Sequence, residues 1–244
     1  MCGQFVLDRT TTELASLFDV DRLFEVDTLW DTDRQGEGLP ERPAPFVPTQ
    51  AISIILDSLP RATDDDPYPE PLRRMEAARW GLVPGSSKDP NAKPTLATAR
   101  SEGITSQPSF QAAVIKRRAV VPASGYVEWK SVAGGRVPYL VSLPGEELLV
   151  FAALFEWWRN PAASEGAADR WLLSSAILTR PSSGPVAGLS ERMPLLLDAD
   201  LVEGWLDPGE EGTQEFVDEL VAAAHPVAER IRLVELGEET VVRD

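Results

Sequence analysis

Two side chains that often carry catalysis are almost absent: the 244 residues include one cysteine, Cys2, and one histidine, His225. A single cysteine excludes an internal disulfide, which is typical of proteins from a reducing compartment. The sequence also lacks an apolar run long enough to cross a bilayer and lacks the pattern of a signal peptide. We therefore expect a cytoplasmic protein that has no membrane segment, no metal site and no cofactor.

Basic side chains are outnumbered, and the formal net charge of -16 opposes non-specific binding to nucleic acid. The charge is uneven, however. Residues 73–130 contain ten basic and four acidic side chains, a balance of +6, which leaves -22 for the rest of the chain. Such a segment can form an anion-binding face, or it can be a solvated surface with scattered charges. The sequence leaves both interpretations open.

The one cysteine lies directly behind the initiator methionine, in the run Met-Cys-Gly-Gln-Phe. Removal of Met1 would leave Cys2 with a thiol and an α-amine on adjacent carbons, and both groups titrate near pH 8. The amine can condense with an aldehyde, and the thiol can then close on the imine carbon to form a thiazolidine. Gly3 lets another molecule approach the backbone closely. From these residues alone, Cys2 could equally be a small buried hydrophobe.

Secondary-structure patterns predict an α+β fold, a single domain over residues 1–244 with a mostly antiparallel, barrel-like sheet and peripheral helices. Thr10 and Glu13 have capping-box spacing, Asp198 and Thr213 are predicted N-caps, and Pro108 suits the first turn of a helix that ends near Lys116. Two C-terminal helices are predicted at residues 199–206 and 214–224. Strands are predicted at residues 51–56, 75–83, 119–121, 126–130, 139–143, 148–158, 171–178 and 231–235.

Four separated motifs occur in order along the chain: Met-Cys-Gly-Gln-Phe, Arg-Trp-Gly-Leu-Val-Pro, Val-Pro-Ala-Ser-Gly-Tyr-Val-Glu-Trp-Lys and Arg-Met-Pro. They occupy residues 1–5, 79–84, 121–130 and 192–194. Together they resemble the SOS-response-associated peptidase family, the abasic-site processing proteins, over nearly the whole chain. The resemblance implies that Met1 is lost, that the partner is single-stranded DNA with an abasic site, and that Cys2 forms a thiazolidine with the ring-opened sugar. A monomer is expected.

The resemblance also assigns roles to further residues. Glu128 corresponds to the carboxylate that assists sugar ring opening and reversal of the cross-link, and a carboxyl group in an apolar setting can move protons near neutral pH. Its alternative is a strand glutamate that faces solvent or pairs with Arg100 or Lys130. Arg100 and Arg192 match positions that hold DNA phosphates, unless they form salt bridges with Glu102 or Glu191.

Trp80 and His225 each have a functional and a structural interpretation. Trp80 is a candidate base-stacking residue, together with Gly3 on the DNA-binding side, but a strand tryptophan is more often part of the core. His225 opens a His-Pro-Val run that also occurs near the end of some family members. It could lie near the DNA, although a structural role is the more common one.

The chain departs from the family pattern at three positions. Thr98 stands where the family usually has asparagine, and a hydroxyl lacks the paired donor and acceptor of an amide. Ser190 replaces the histidine that acts as acid and base, and serine does not titrate near neutrality. Ser86 replaces a tryptophan that would wedge between bases. We hypothesise that Cys2, Glu128, Thr98 and Ser190 support a slower cross-link whose reversal is impaired.

Two other functions remain open from the sequence. An N-terminal cysteine followed by glycine also begins glutamine amidotransferase domains, where it attacks a side-chain amide. The chain could also be a degenerate paralogue that binds DNA or protein without chemistry. A protease that acts on other proteins would have to recruit His225 as its base.

Overall fold

A barrel of five strands, with a smaller sheet packed against it, organises the computed structural model, which describes residues 3–24, 44–63, 66 and 69–237. The strands are β1 Gln4–Val6, β2 Arg22–Phe24, β3 Ala51–Ser58, β4 Leu72–Trp80, β5 Thr98–Arg100, β6 Arg118–Ala123, β7 Gly125–Val132, β8 Gly135–Ser142, β9 Leu149–Arg159, β10 Trp171–Pro181, β11 Arg192–Pro194 and β12 Arg232–Glu235. The helices are α1 Thr11–Leu17, α2 Gln111–Lys116, α3 Ala199–Leu206, α4 Gln214–Ala223 and α5 His225–Glu229.

The barrel closes through one parallel contact. Strands β4, β3, β6, β9 and β10 are neighbours in that order, and every pair along this path is antiparallel. β10 then runs parallel to β4, with Ser174 opposite Arg79 and Ser175 opposite Trp80. The smaller sheet has the order β1-β7-β8-β12 and is antiparallel throughout. The predicted α+β class, with a barrel-like, mostly antiparallel sheet and peripheral helices, is confirmed.

Both faces of the barrel strands are buried, which explains their nearly continuous apolar sequence. On β3, Ile52, Ile54 and Leu56 belong to the cluster inside the barrel. Ile55, which points the other way, belongs to an outer cluster that is covered by the helices. Leu14 of α1, Val114 of α2, Trp205 of α3 and Val217 of α4 all lie in that outer cluster. The helices therefore shield the outside of the barrel.

The predicted helix starts are mostly confirmed. Thr10 and Glu13 form both hydrogen bonds of a capping box, and the side chains of Asp198 and Thr213 cap α3 and α4. The prediction for Pro108 is wrong, because residues 108–110 form a turn and α2 begins only at Gln111. Short elements were missed, among them the three-residue strands β1, β5 and β11 and the helix α5. Their hydrophobic patterns are too short to register as a period.

A buried arginine joins the barrel to the helices around it. Arg118 is only 3% exposed, and burial lowers the pKa of its guanidinium below the ordinary value. The guanidinium of Arg118 also lies over the rings of Trp205 and Phe216. The five N–H groups of this guanidinium donate to five backbone carbonyl groups at 2.6–3.3 Å, those of Trp205, Val114, Ile115, Asp207 and Glu210. One side chain thus satisfies the ends of α2 and α3.

We expect Arg118→Met to destabilise the fold, because methionine occupies similar space but removes a hydrogen-bond donor from each of five carbonyl groups. The free energy of unfolding, measured by urea denaturation, should fall by about 3 kcal/mol. Arg232→Met is the matched control at an exposed position of β12, and it should change stability by less than about 0.5 kcal/mol. Equal stabilities of the two variants would contradict the role given to Arg118.

Candidate nucleic-acid site

The four sequence motifs meet in one place, because each contributes a buried side chain to the cluster inside the barrel. These side chains are Phe5, Trp80, Tyr126 and Met193. The centre of the Phe5 ring lies 5.1 Å from that of Trp80 and 6.0 Å from that of Phe151. The Tyr126 ring also contacts Phe151, with 6.0 Å between the ring centres. Residues that are far apart in the sequence are therefore packed around the start of the chain.

The register of β1 on β7 places the beginning of the chain beside Glu128. Phe5 is opposite Tyr126 and Gln4 is opposite Val127, so the next step of this antiparallel pair brings Gly3 level with Glu128. Gly3 is exposed, whereas Glu128 is only 3% exposed. The Glu128 carboxylate accepts a hydrogen bond of 3.3 Å from the backbone N–H of Trp129. The alternative that Glu128 faces solvent is therefore wrong. The buried carboxylate belongs to the β7 residue that lies beside Gly3.

Met1 and Cys2 lie outside the described residues. The predictions that Met1 is removed and that Cys2 is a nucleophile therefore stay predictions.

Two glycines of the motifs allow close packing around this region. Gly81, in the Trp-Gly-Leu motif, has φ +132°, and a Cβ there would lie 2.6 Å from the Thr95 side chain. A Cβ on Gly125 would lie 2.8 Å from Leu140 Cδ1 and 3.0 Å from the carbonyl oxygen of Val141. The positive φ and the close contact together require glycine at position 81, whereas a side chain at position 125 would force the Leu140 side chain to shift.

Thr98 and Arg100 lie on β5, which runs parallel to the C-terminal half of β10. Strand alternation places their side chains on one face and the buried Ala99 on the other. Arg100 is exposed, and its guanidinium forms no ion pair with any residue of the described part of the chain. The salt bridge with Glu102 that was weighed as its alternative is absent there, because Glu102 binds Arg192 instead.

Arg192 holds three strands together. Its guanidinium binds both carboxylate oxygens of Glu102 at 2.8 Å, and it donates to the hydroxyl and the carbonyl oxygen of Thr179 at 3.2 and 2.7 Å. Hydrogen bonding with Arg192 lowers the pKa of Glu102 from 4.5 to about 2, although partial burial acts in the opposite direction. Four of the five N–H groups of Arg192 are occupied in this way, which leaves one, on Nη1, for a phosphate.

Thr179 is a residue that the motifs did not indicate. Besides accepting from Arg192, its hydroxyl donates to the carbonyl oxygen of Ala99 at 3.1 Å, and its backbone pairs with Arg100. It therefore joins the Thr98–Arg100 strand to the Arg192–Pro194 strand. An isolated threonine in a long strand carries no sequence signal for this role.

Ser190 lies just before β11 and is half-buried. Its hydroxyl oxygen accepts a long hydrogen bond of 3.5 Å from the backbone N–H of Arg192, and its own N–H donates to the carbonyl oxygen of Val186 at 3.1 Å. The side chain therefore shapes the turn that leads into Arg192. No titratable group replaces the missing histidine at this position.

Trp80 does not offer a stacking surface, so the prediction that it contacts DNA bases is wrong. The side chain is 0% exposed, it packs against Phe5, and its indole N–H donates to the carbonyl oxygen of Ala97 at 2.9 Å. No base could reach the ring. Its role is to support β1 from inside the barrel.

The loop after Trp80 encloses a cleft of about 320 Å³. Arg79 and Lys93 line it, and Ser86 and Ser87 form part of its wall. Arg79 donates to the carbonyl oxygen of Pro90 and, at 3.3 Å, to the side chain of Asn91, so it stabilises the loop. Ser86 is exposed, but as a serine it presents no ring to a base.

The basic central segment is not one free cationic face. Arg73 bridges Asp57 and Glu203, Arg117 pairs with Glu156 at 2.7 Å, and Arg118 is buried. Lys116 is exposed but donates to the carbonyl oxygens of Pro208 and Gly209. With it, five cations of this segment are exposed and form no ion pair within the described chain, the other four being Lys88, Lys93, Arg100 and Lys130. The interpretation as scattered charges therefore fits better than that of a continuous anion-binding face.

His225 begins α5 and is exposed, with its Nε2 3.5 Å from a carboxylate oxygen of Glu229 one turn along the helix. This arrangement agrees with a structural position. Among the described residues, no group of three or more His, Cys, Asp and Glu side chains could hold a metal ion. No helix within the described ranges is long and apolar enough to span a membrane.

A family model and individual relatives both match this chain in sequence. The family model for SOS response associated peptidase (SRAP) matches residues 1–238. Abasic site processing protein YoaM of Bacillus subtilis is 27% identical over 209 residues, which cover 85% of this chain and 80% of YoaM. Abasic site processing protein HMCES of Xenopus tropicalis is 30% identical over 208 residues, 76% of this chain and 60% of HMCES.

Solved structures share the fold. A protein from Bacteroides thetaiotaomicron superposes with a TM-score of 0.74 at 18% identity, covering 98% of this chain and 93% of that one. A protein from Bordetella bronchiseptica gives a TM-score of 0.71 at 19% identity, with 97% and 100% covered. At this level of identity the likeness concerns the fold alone.

The Glu102–Arg192 pair should make stability depend on acid pH. Because the pKa of Glu102 is lower in the folded protein, the pair contributes stability above the unfolded value of 4.5 and loses it as pH falls toward about 2. We expect wild type to exceed Glu102→Gln in unfolding free energy by about 1 kcal/mol at neutral pH, since Glu102 is half exposed and screened by solvent. This difference should shrink as pH falls from 4.5 toward 2.

Urea denaturation across this pH range measures the difference. Glu191→Gln removes the same charge from the residue next to Arg192 without removing a hydrogen bond to it, so it is the control. A pH-independent difference between wild type and Glu102→Gln would contradict the assignment.

Proposed function

The chain belongs to the SOS response associated peptidase family, and on that basis we propose that it processes abasic sites in single-stranded DNA through a covalent bond from Cys2. The proposed substrate is the ring-opened sugar aldehyde at the lesion. The observation that carries the proposal, beside family membership, is the register that sets exposed Gly3 level with buried Glu128. One peptide bond links Cys2 to Gly3, so their Cα atoms are about 3.8 Å apart.

The chemistry needs only groups that this end of the chain supplies. After Met1 is removed, by an aminopeptidase or by the protein itself, the α-amine of Cys2 attacks the aldehyde carbon and one water molecule leaves as the imine forms. The Cys2 sulfur then adds to the imine carbon, the thiol proton goes to the nitrogen, and a five-membered thiazolidine results. Both bonds form at adjacent atoms of one residue, so the second step has a high effective molarity.

Glu128 is the proposed proton carrier. Proton transfer is needed when the sugar ring opens and when the carbinolamine loses water, and a buried carboxyl group beside the reacting residue can serve both steps. Tyr126 lies two residues earlier on the same face of β7, and its side chain packs inside the barrel. This packing holds the backbone of β7 in place near Glu128.

Arg100 is the proposed phosphate contact. Its guanidinium is exposed and has no ion pair in the described chain, whereas Arg192 has one N–H group left beside Glu102. Thr98 lies on the same face of β5 as Arg100, where its hydroxyl can give a single hydrogen bond to the sugar. We infer that Arg192 chiefly positions the β5–β10 junction on which Arg100 stands.

Ser190, which stands where the family usually has histidine, should affect reversal of the cross-link more than its formation. Formation begins with a nucleophile that is already reactive near neutral pH, whereas reversal must protonate a stable thiazolidine. A serine hydroxyl cannot supply that proton. The proposed activity is therefore a slow cross-link with impaired release.

A denaturing-gel time course with abasic single-stranded DNA tests the chemistry, after intact mass spectrometry has verified loss of Met1. We expect wild type to form an adduct, Cys2→Ala to form none, and DNA with a tetrahydrofuran analogue, which has no aldehyde, to give none. Ser190→His should accelerate release about a hundredfold, because it restores an acid–base group.

The outcomes separate the competing functions. Tight binding without any adduct would instead indicate a DNA-binding paralogue without chemistry, and release of ammonia from glutamine would indicate an amidohydrolase. A wild-type release rate equal to that of Ser190→His would refute the claim of impaired reversal.

Arg100→Gln tests the phosphate contact separately. With tetrahydrofuran-containing single-stranded DNA, which cannot react, we expect weaker binding by fluorescence anisotropy, and the slope of log affinity against log salt should decrease in magnitude by about 0.7. Arg232→Gln removes an exposed cation on β12 and should leave that slope unchanged. An unchanged slope for Arg100→Gln would exclude the contact.

A further inference from the structure

At one end of the barrel, the apolar stripe of its interior continues into solvent. β9 pairs with β10 so that Trp157 is opposite Leu173 and Arg159 is opposite Trp171. Directly opposed residues share a face, and so do residues two apart along a strand, so all four side chains lie on the same face. Leu173 belongs to the cluster inside the barrel, and Trp157, Arg159 and Trp171 continue the same face beyond that cluster.

The two tryptophans on this stripe are unusually exposed. Trp157 is 39% and Trp171 is 50% exposed, and neither indole N–H donates a hydrogen bond to any residue of the described ranges. Trp80, Trp158 and Trp205, by contrast, are buried and donate to the carbonyl oxygens of Ala97, Ser87 and Ala119 at 2.7–2.9 Å. Large apolar rings left in water at adjacent positions are typical of a binding surface.

The charge beside these rings favours an anionic partner. Arg159 is exposed and forms no ion pair with another described residue. The neighbouring acids already have partners: Glu165 lies 3.5 Å from Arg170, Asp169 accepts from Asn160 at 3.2 Å, and Glu156 pairs with Arg117. Two rings with an unpaired guanidinium beside them match the stacking and phosphate contacts that single-stranded nucleic acid needs.

The same strand leads from these rings to the proposed reaction site. Leu173, opposite Trp157, and Thr179, which binds Arg192 and pairs with Arg100, are six residues apart on β10. Six residues of a strand span about 20 Å. That distance corresponds to a few nucleotides, within the roughly 4–16 nucleotides that OB-fold proteins contact on single strands. Trp158 also ties this hairpin to the loop after Trp80, through the carbonyl oxygen of Ser87.

We propose that Trp157, Trp171 and Arg159 form a second nucleic-acid contact, on which unpaired bases that flank the abasic site stack. This inference rests on the proposed function, because it takes the same single strand as its ligand. It adds a site that reads intact bases, whereas the cross-link needs a position that has lost its base. Stacking on aromatic rings tolerates every base, so the contact adds affinity without sequence preference.

The test compares two oligonucleotides of equal length and charge, both with a central tetrahydrofuran site. One carries normal bases on both sides, and the other carries base-free spacers there. We expect wild type to bind the first about tenfold more tightly by fluorescence anisotropy, and Trp157→Ala/Trp171→Ala to lose this preference. Trp157→Phe/Trp171→Phe should retain most of it, since the rings remain. Leu59→Ala/Val234→Ala, which trims two exposed apolar side chains elsewhere, is the control.

The Arg159→Gln variant should keep the preference for normal bases and weaken binding of both oligonucleotides equally. Neither oligonucleotide has an aldehyde, so the preference for normal bases is measured without the Cys2 chemistry, and failure of that chemistry is distinguishable from failure of the stacking surface. Two results would overturn the inference: an unchanged preference for normal bases in the double alanine variant, or loss of self-association in that variant, by analytical ultracentrifugation, with DNA binding intact.

Discussion

Burial of the Phe5 ring fixes the position of β1, the first strand of the chain. The ring contacts Trp80 and Phe151 inside the barrel, and on the other side β1 is fixed by its ladder with β7. A strand of three residues could not hold a register by its own hydrogen bonds, but a buried aromatic side chain prevents a slip, because a shift by one residue would turn Phe5 outward. Two backbone hydrogen bonds between Phe5 and Phe46 add to this anchor, and the level position of Gly3 and Glu128 depends on both.

Several basic side chains serve the fold. In the central segment, Arg118 satisfies carbonyl groups at helix ends and Arg73 bridges two acids. Beyond that segment, Arg192 joins β5, β10 and β11. A chain with net charge -16 therefore has few cations left for a phosphate backbone. Stacking contacts are less sensitive to salt than phosphate contacts, so an acidic protein gains more from exposed rings than a basic one does.

Patterns that are local in sequence were predictable. The capping residues Thr10, Asp198 and Thr213 are where expected, and the strand predicted at residues 51–56 is observed as Ala51–Ser58. Contacts between distant segments were not predictable. Glu102 was weighed as a partner of Arg100 because it is near in sequence, yet it binds Arg192, 90 residues away, because β5 and β11 both pair with β10. The burial of Trp80 likewise depends on barrel closure.

The junction that carries Arg100 shows how stability and binding compete for the same donors. Each hydrogen bond from Arg192 to Glu102 or Thr179 strengthens the attachment of β5 and β11 to β10. A DNA phosphate that took those donors would leave Glu102 partly buried without its counter-charge, which is unfavourable. A phosphate on Arg100 displaces no ion pair within the described chain. The proposed phosphate contact therefore falls on a guanidinium that the fold leaves unused, and the Arg192–Glu102 pair beside it holds that end of β5 in place.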